Sequence, residues 1–234
     1  MSDLTIAAKQ IGSVNMPNFC PRCFWLRLHT KGIPFQSFPG IFSSIDSYTK
    51  KITKFYFDKY KKLPPWFDSL GLDSLLKTPT LKNFNVIHEP TGIKIQGVPD
   101  DMFGRKEEII IGDYKTARLT ASADSLAPIY DAQLNTYAYI AERVGFKPVT
   151  SLFLAYYEPF TDIDISMIES KATDEMIMSF RPKILELDIN SKLIDDSLAK
   201  IKDIYEMKHA PAGKDGCKDC SDLDNLFNML QKGI

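Results

Sequence analysis

Histidine and cysteine are scarce: the 234 residues hold three of the first and four of the second. Four cysteines are too few for the disulfide-dense framework that holds small secreted domains together. An excess of one charge is missing too, since 29 Lys+Arg face 30 Asp+Glu and leave a net charge of −1. That balance gives no overall attraction to nucleic acid or to a membrane surface, so a polyanion site has to be a local patch. No apolar run approaches the roughly 18 residues a membrane helix needs; Ile109–Ile111 and Leu152–Tyr157 are strand-sized. Met1 to Gly12 lacks the basic segment and apolar core of a secretory signal. There is no internal repeat and no low-complexity segment. What is present, 44% hydrophobic and 25% charged residues, is ordinary globular composition with enough chain for a sizeable core. A soluble, cytoplasmic protein is expected.

The four cysteines fall near the chain ends, as Cys20-Pro-Arg-Cys23 and Cys217-Lys-Asp-Cys220. A reducing compartment disfavours disulfides. Two such pairs have the spacing by which thiolates converge on one tetrahedral metal or on an iron–sulfur cluster. Four unrelated thiols, or one redox pair, are the alternatives. A shared site would tie the two ends together with most of the chain between them.

Periodicity sorts the rest. Helices are expected over residues 2–12, 21–28 and 43–60, the last ended by Pro64-Pro65. Strands follow over 84–88, 93–98 and 108–114, with turns at Pro90-Thr91-Gly92 and around Gly104. A helix over 129–144 stops at Gly145 and Pro148, and strands are expected over 151–157, 162–167 and 184–189. In the last strand apolar Leu185, Leu187 and Ile189 alternate with polar neighbours. Asn190 or Ser191 caps a helix to about Lys208, and 224–231 suits a short final helix. The sum is a mixed α/β core with a helical N-terminal segment and a cysteine-bearing tail.

The stretch from Asp100-Asp101 to Asp113-Tyr114-Lys115 carries the chemistry. Side chains two apart on a strand share a face, so Asp113 and Lys115 point the same way. A turn between Asp101 and Glu108 folds the strand ending at Asp100 back against the one carrying Asp113. Two carboxylates and an ammonium then meet at a strand end. Hard oxygen ligands suit magnesium or manganese, which neutralises a phosphate oxygen and makes water a better nucleophile. Charges directly after Ile109-Ile110-Ile111 are costly unless used or paired. A plain Asp–Lys salt bridge at a polar strand end is the alternative. Tyr130, Gln133 and Tyr137 share one helix face, and Gln133, an amide on an apolar stripe, needs partners there. Those partners are a phosphate or the lysine region; a structurally satisfied glutamine is the other reading.

A local basic patch joins Lys50, Lys51, Lys54, Lys59, Lys61 and Lys62 with Phe55, Tyr56, Phe57 and Tyr60. Lysines on one helix side suit phosphates and aromatics stack on single-stranded bases. Lys50, Lys51, Lys54 and Tyr130 are the nucleic-acid candidates, with Arg22, Arg27 and Lys31 beside the first cysteine pair. A solvated face over a buried aromatic stripe is the competing reading.

The motifs Gly97-Val98-Pro99-Asp100, Gly112-Asp113-Tyr114-Lys115-Thr116 and Tyr130 through Gln133 to Tyr137, in that order, resemble the PD-(D/E)XK nuclease superfamily. They are most similar to its RecB-like branch and to the iron–sulfur exonucleases associated with CRISPR systems, as is the Phe19-Cys20-Pro21-Arg22 start. The likeness runs from about residue 18 to 220. It implies a restriction-endonuclease-like mixed sheet flanked by helices, in a single domain spanning 1–234. Within it, 1–80 is a helical N-terminal segment, 81–208 the nuclease core and 209–234 the tail. The resemblance implies that Asp100, Asp113 and the Tyr114 backbone carbonyl hold Mg2+ or Mn2+. Lys115 assists catalysis, while Gln133 and Tyr137 steady the site or the DNA. It further implies a [4Fe–4S] cluster at Cys20, Cys23, Cys217 and Cys220, with Zn2+ as the alternative. The cysteine split here is two and two, where the CRISPR-associated relatives usually have one and three. The branch's histidine on an N-terminal helix is absent from Gly40-Ile41-Phe42-Ser43-Ser44; Asp46 is its candidate replacement. His88 reads as an ordinary strand residue and His29 has no assigned role. The implied activity is a DNA nuclease acting from free ends or on single strands. The alternative is a nucleic-acid-binding adaptor in a recombination or CRISPR integration complex.

Overall fold

The computed structural model describes residues 4–30, 40–117, 127–160 and 179–232. The strand expected over 162–167 and the candidate Lys31 lie outside them. The chain opens on a strand where a helix over 2–12 was expected. β1 (Thr5–Ala7) pairs in parallel with β4 (Ile93–Gln96), and only α1 (Ala8–Ile11) is α-helical. Ile6, Ala8 and Ile11 are all buried, so a sheet edge supplied by distant sequence overrides local helical spacing. β4 also pairs antiparallel with β3 (Asn85–His88), completing a three-stranded sheet.

Among the described residues the larger sheet has five strands in the order β2-β5-β6-β7-β8. They are β2 (Ser74–Leu76), β5 (Asp101–Arg105), β6 (Glu108–Lys115), β7 (Val149–Pro159) and β8 (Phe180–Leu187). Neighbours run antiparallel except β6 and β7, which are parallel. A parallel pair needs a crossover, and α4 (Ala127–Arg143) lies in that connection. Two features differ from expectation. β2 was not foreseen, and most of the 101–108 "turn" is strand, the reversal being confined to Lys106-Glu107 with Lys106 at φ 56°. The chain does fold back as expected, but Gly97–Asp100 is the bend that carries it from the small sheet into the large one. Asp100 therefore precedes β5, whose first residue, Asp101, pairs with Gly112.

Side chains alternate across the large sheet with the two-residue period of a strand. On one face Met102, Ile111, Leu152 and Leu154 pack beneath Leu134 and Ile140 of α4. On the other, Phe103, Ile110, Tyr114, Phe153 and Tyr157 gather around Phe67 and Leu70 of the 3-10 turn Pro65–Leu70. Among the described residues β8 is an edge strand; Leu185 on it and Ile189 beyond its end are exposed, and of the alternating trio Leu187 alone packs against the main core.

The flanking helices are α2 (Pro21–His29), α3 (Gly40–Tyr60), α5 (Ser191–Tyr205) and α6 (Lys218–Lys232). Pro21 opens α2, where its missing N–H costs nothing. Asn190 caps α5 by accepting a hydrogen bond from the Leu193 N–H at 3.2 Å. α6 starts inside the second cysteine pair, earlier than the expected 224. The result is a mixed α/β fold, a mixed sheet flanked by helices with the four cysteines gathered near one another. Among the described residues no helix is long and apolar enough to cross a membrane.

Candidate active site and cysteine cluster

On β6 the alternation that sends Ile111 toward α4 sends Asp113 and Lys115 the same way, as their spacing predicts. The Lys115 ammonium lies directly against Asp113 Oδ2. It also donates to Gln133 Oε1 at 3.2 Å and sits 4.5 Å from the centroid of the Tyr130 ring. Gln133 Nε2 donates to Tyr137 Oη at 2.7 Å and lies 3.5 Å from Asp113 Oδ1. The expected face of Tyr130, Gln133 and Tyr137 thus comes down from α4 onto the Asp113–Lys115 pair. Gly97 leaves room for it: a Cβ there would stand 2.8 Å from Tyr137 Cε1.

Asp100 reaches the same place from the bend before β5. Its Oδ2 accepts the Tyr114 N–H at 2.7 Å, and its Oδ1 pairs with Lys50 Nζ at 2.9 Å. Lys50 pairs in turn with Asp46 Oδ2, one turn back on α3, at 2.7 Å. Burial, then the charge of Asp100, pushes the Asp113 carboxyl up to about 6 although Lys115 pulls the other way. Burial lowers the Lys50 pKa, but the Asp46 hydrogen bond and the Asp100 charge outweigh it and raise the ammonium above its usual range. Asp101, next in sequence, turns to the opposite face. There it accepts the Tyr114 hydroxyl at 2.5 Å, and burial raises it to about 6. It is a structural acid beneath the site.

The donor set fits a hard dication. Among the described residues Asp113 Oδ2, which is buried, accepts no well-directed hydrogen bond and has the Lys115 ammonium against it. A buried carboxylate with a second acid, Asp100, beside it calls for more positive charge than one lysine supplies. Asp100 Oδ1, which Lys50 holds, is the second carboxylate oxygen, and magnesium or manganese prefers such ligands while keeping several waters.

The other candidates divide. Lys50 belongs to the acidic site through Asp100, a link the sequence signals only as the Asp46/Lys50 spacing of one helical turn. Lys54 pairs with Asp58 at 2.7 Å, and Lys51 is exposed. By helical periodicity Tyr48, Phe55 and Lys59 fall on the α3 face opposite Asp46, Lys50 and Thr53. Phe55 therefore turns away from the acidic site, whereas Phe57 and Tyr60 fall on its side of the helix. Tyr130 lies against Lys115. Arg22 forks onto Asp224 at 2.6 and 2.9 Å, which occupies it in joining α2 to α6. Arg27 lines a cleft of about 630 Å³ beside the cysteines. His88 is buried between Thr91 Oγ1 at 2.8 Å and Asp195 Oδ1 at 3.1 Å, a structural strand histidine. His29 stacks on Trp25 and Tyr205.

Cys20 and Cys23 at the start of α2 meet Cys217 and Cys220 at the start of α6, with all four sulfurs within 4.8 Å of one another. Cys20 and Cys220 lie 3.5 Å apart, Cys23 and Cys220 3.3 Å, Cys23 and Cys217 3.7 Å, and none forms a disulfide. Burial and then the neighbouring sulfurs raise the Cys23 thiol, and burial raises Cys220 to about 11. At Cys20 burial acts upward too, but the Cys23 and Lys214 N–H groups outweigh it and bring the thiol down to about 6. Crowded sulfurs of this kind ionise together only around a cation. The site therefore fits a metal.

A solved structure described as the crystal structure of SSO0001 is similar over 89% of this chain and 79% of its own, at 10% identity and a TM-score of 0.41. No curated protein matches. The model of the PD-(D/E)XK nuclease superfamily matches residues 44–222, which include most of α3, the bend at Asp100, the Asp113–Lys115 strand end and the second cysteine pair. This chain therefore belongs to the PD-(D/E)XK nuclease superfamily, whose members are typically metal-dependent nucleases.

Proposed function

We propose that this protein is a divalent-metal-dependent deoxyribonuclease of the RecB-like branch, acting from free ends or on single strands, with a structural zinc at its four cysteines. One observation carries the hydrolytic reading: the buried Asp113, with an oxygen that accepts no well-directed hydrogen bond, lies beside Asp100 and against Lys115. Asp100 Oδ1, Asp113 Oδ2 and the Tyr114 backbone carbonyl are the groups that would hold Mg2+ or Mn2+. The dication supplies Lewis-acid neutralisation of a phosphate oxygen. Gln133 and the Tyr130 ring fix the Lys115 ammonium beside Asp113. From there it donates a hydrogen bond to a phosphate oxygen or orients the attacking water. Tyr137 holds Gln133 in that role through its hydroxyl. The motif order supports the RecB-like assignment.

Zinc is favoured at the cysteines by sulfur spacing. Tetrahedral Zn–S bonds of about 2.3 Å put sulfurs about 3.8 Å apart, close to the 3.3, 3.5 and 3.7 Å separations here. A [4Fe–4S] cluster holds its thiolates on four different irons, and so farther apart.

Labelled single- and double-stranded DNA incubated with Mn2+ tests the reading. Wild-type protein yields metal-dependent products, and Asp113→Ala or Lys115→Ala lowers the rate by roughly 10²–10⁴ with the fold intact. Full cleavage by purified Lys115→Ala overturns the assignment. A mobility shift without products would instead make the protein an adaptor, of the kind that serves recombination or CRISPR integration complexes.

A further inference from the structure

Asp100 has one oxygen committed to the backbone and one not. Its Oδ2 takes the Tyr114 N–H at 2.7 Å, so Oδ1 is the oxygen open to a cation. Lys50 already holds it at 2.9 Å, and the same ammonium holds Asp46 Oδ2 at 2.7 Å. This is not a surface lysine that happens to lie near. Thr49 and Thr53, on either side of it along α3, are buried, and the Thr53 hydroxyl donates to Tyr114 Oη at 3.1 Å while the Tyr114 proton goes to Asp101. α3 is thereby keyed to the strand that carries Asp113. The Lys50 side chain is 40% exposed, so its ammonium has an open path away from Asp100.

We propose that Lys50 is the built-in counter-ion of the metal site: its ammonium bridges Asp46 and Asp100 until a divalent cation displaces it, and Asp46 then joins the cation's ligands. This rests on the placement of the dication at Asp100 and Asp113. Physically, two carboxylates facing each other across a site need a positive charge, and a lysine on a flexible stem supplies one that can leave. Its departure costs charge-assisted hydrogen bonds, so Lys50 sets how tightly the dication binds.

Manganese binding to the intact protein without DNA tests this, followed by the loss of the free Mn2+ paramagnetic resonance signal. Lys50→Met keeps the stem and removes the charge; it binds Mn2+ on the order of tenfold tighter, the size of one charge-assisted hydrogen bond. Lys50→Gln changes affinity in the same direction, and Lys50→Arg, which keeps the charge, stays near wild type. Adding Asp46→Asn to Lys50→Met weakens binding again. Unchanged or weaker binding in both Lys50→Met and Lys50→Gln overturns the proposal, as does an Asp46→Asn effect of zero in the Lys50→Met background. Asp113→Asn separates the two levels. If it binds Mn2+ as wild type does, the metal placement itself falls. If it loses binding while the Lys50 variants are unchanged, only the counter-ion role falls.

Discussion

Individual buried polar atoms mark where this protein departs from packing alone. Asp113 Oδ2, Tyr157 Oη and Trp66 Nε1 are buried without a well-directed hydrogen bond. The first has a chemical use in the proposed mechanism. The other two sit on the aromatic face of the sheet, their rings 6.3 Å apart, away from Asp113 and Lys115. Burial raises the Tyr157 phenol to about 12 from 10.0. A folded-state pKa above the unfolded one means the native protein keeps its proton longer. The associated stability is fully present below pH 10 and is lost as pH rises toward 12, in all about 2 kcal/mol. Tyr157→Phe is expected to leave neutral-pH stability within about 1 kcal/mol of wild type, since Thr53 and Trp66 face the hydroxyl without a well-directed hydrogen bond. It should also flatten the fall in stability between pH 10 and 12, as urea titrations at several pH values would show. An unchanged alkaline slope would contradict the buried placement of that phenol.

Among the elements, α4 matters most, because its first turns bring Tyr130 and Gln133 to Lys115. Its approach depends on Gly12. A Cβ there would meet Ile129 Cα at 2.5 Å, Ile129 O at 2.7 Å and Pro128 O at 2.9 Å, all backbone atoms. Gly12 has an ordinary helical φ of −66°, so close contact and not conformation demands glycine. Gly12→Ala should push the start of α4 outward and cost about 1–3 kcal/mol. Cleavage should fall along with stability because Tyr130 moves too, and thermal melting alongside the nuclease assay checks both. The long helices α3, α4 and α5 were legible because their apolar residues recur at helical spacing and caps or prolines bound them. β1, β2 and most of β5 were not. Short strands of three to five residues are defined by partners elsewhere in the chain, and Gly104 with its charged neighbours imitates a turn.

Over the whole molecule, the cysteines close the chain on itself. Cys20 and Cys23 meet Cys217 and Cys220 across nearly the full sequence, and the Arg22–Asp224 fork lies beside them. That exposed pair adds at most about 1 kcal/mol, so the proposed metal is expected to hold the α2–α6 junction. Purified protein should be colourless and carry one zinc per chain by elemental analysis; a brown solution with broad visible absorbance would argue for iron–sulfur instead. Removing the metal with a strong chelator, or Cys217→Ser, should expose the tail beyond His209 to protease. The melting temperature should fall by roughly 2–4 °C for each kcal/mol lost. The apolar residues exposed on α6, Leu226, Phe227, Met229 and Leu230, lie on that same tail.

The amino-acid order alone determined the two cysteine pairs, the shared face of Asp113 and Lys115, and the stripe of Tyr130, Gln133 and Tyr137. Each follows from a fixed local period, two residues per strand repeat or 3.6 per helical turn, which needs no knowledge of the rest of the chain. The tertiary structure alone decided that adjacent Asp100 and Asp101 serve opposite faces and that Lys50 stands on Asp100. Those outcomes depend on which segments pack together, and packing is set by burial summed over distant residues rather than by any neighbour in sequence.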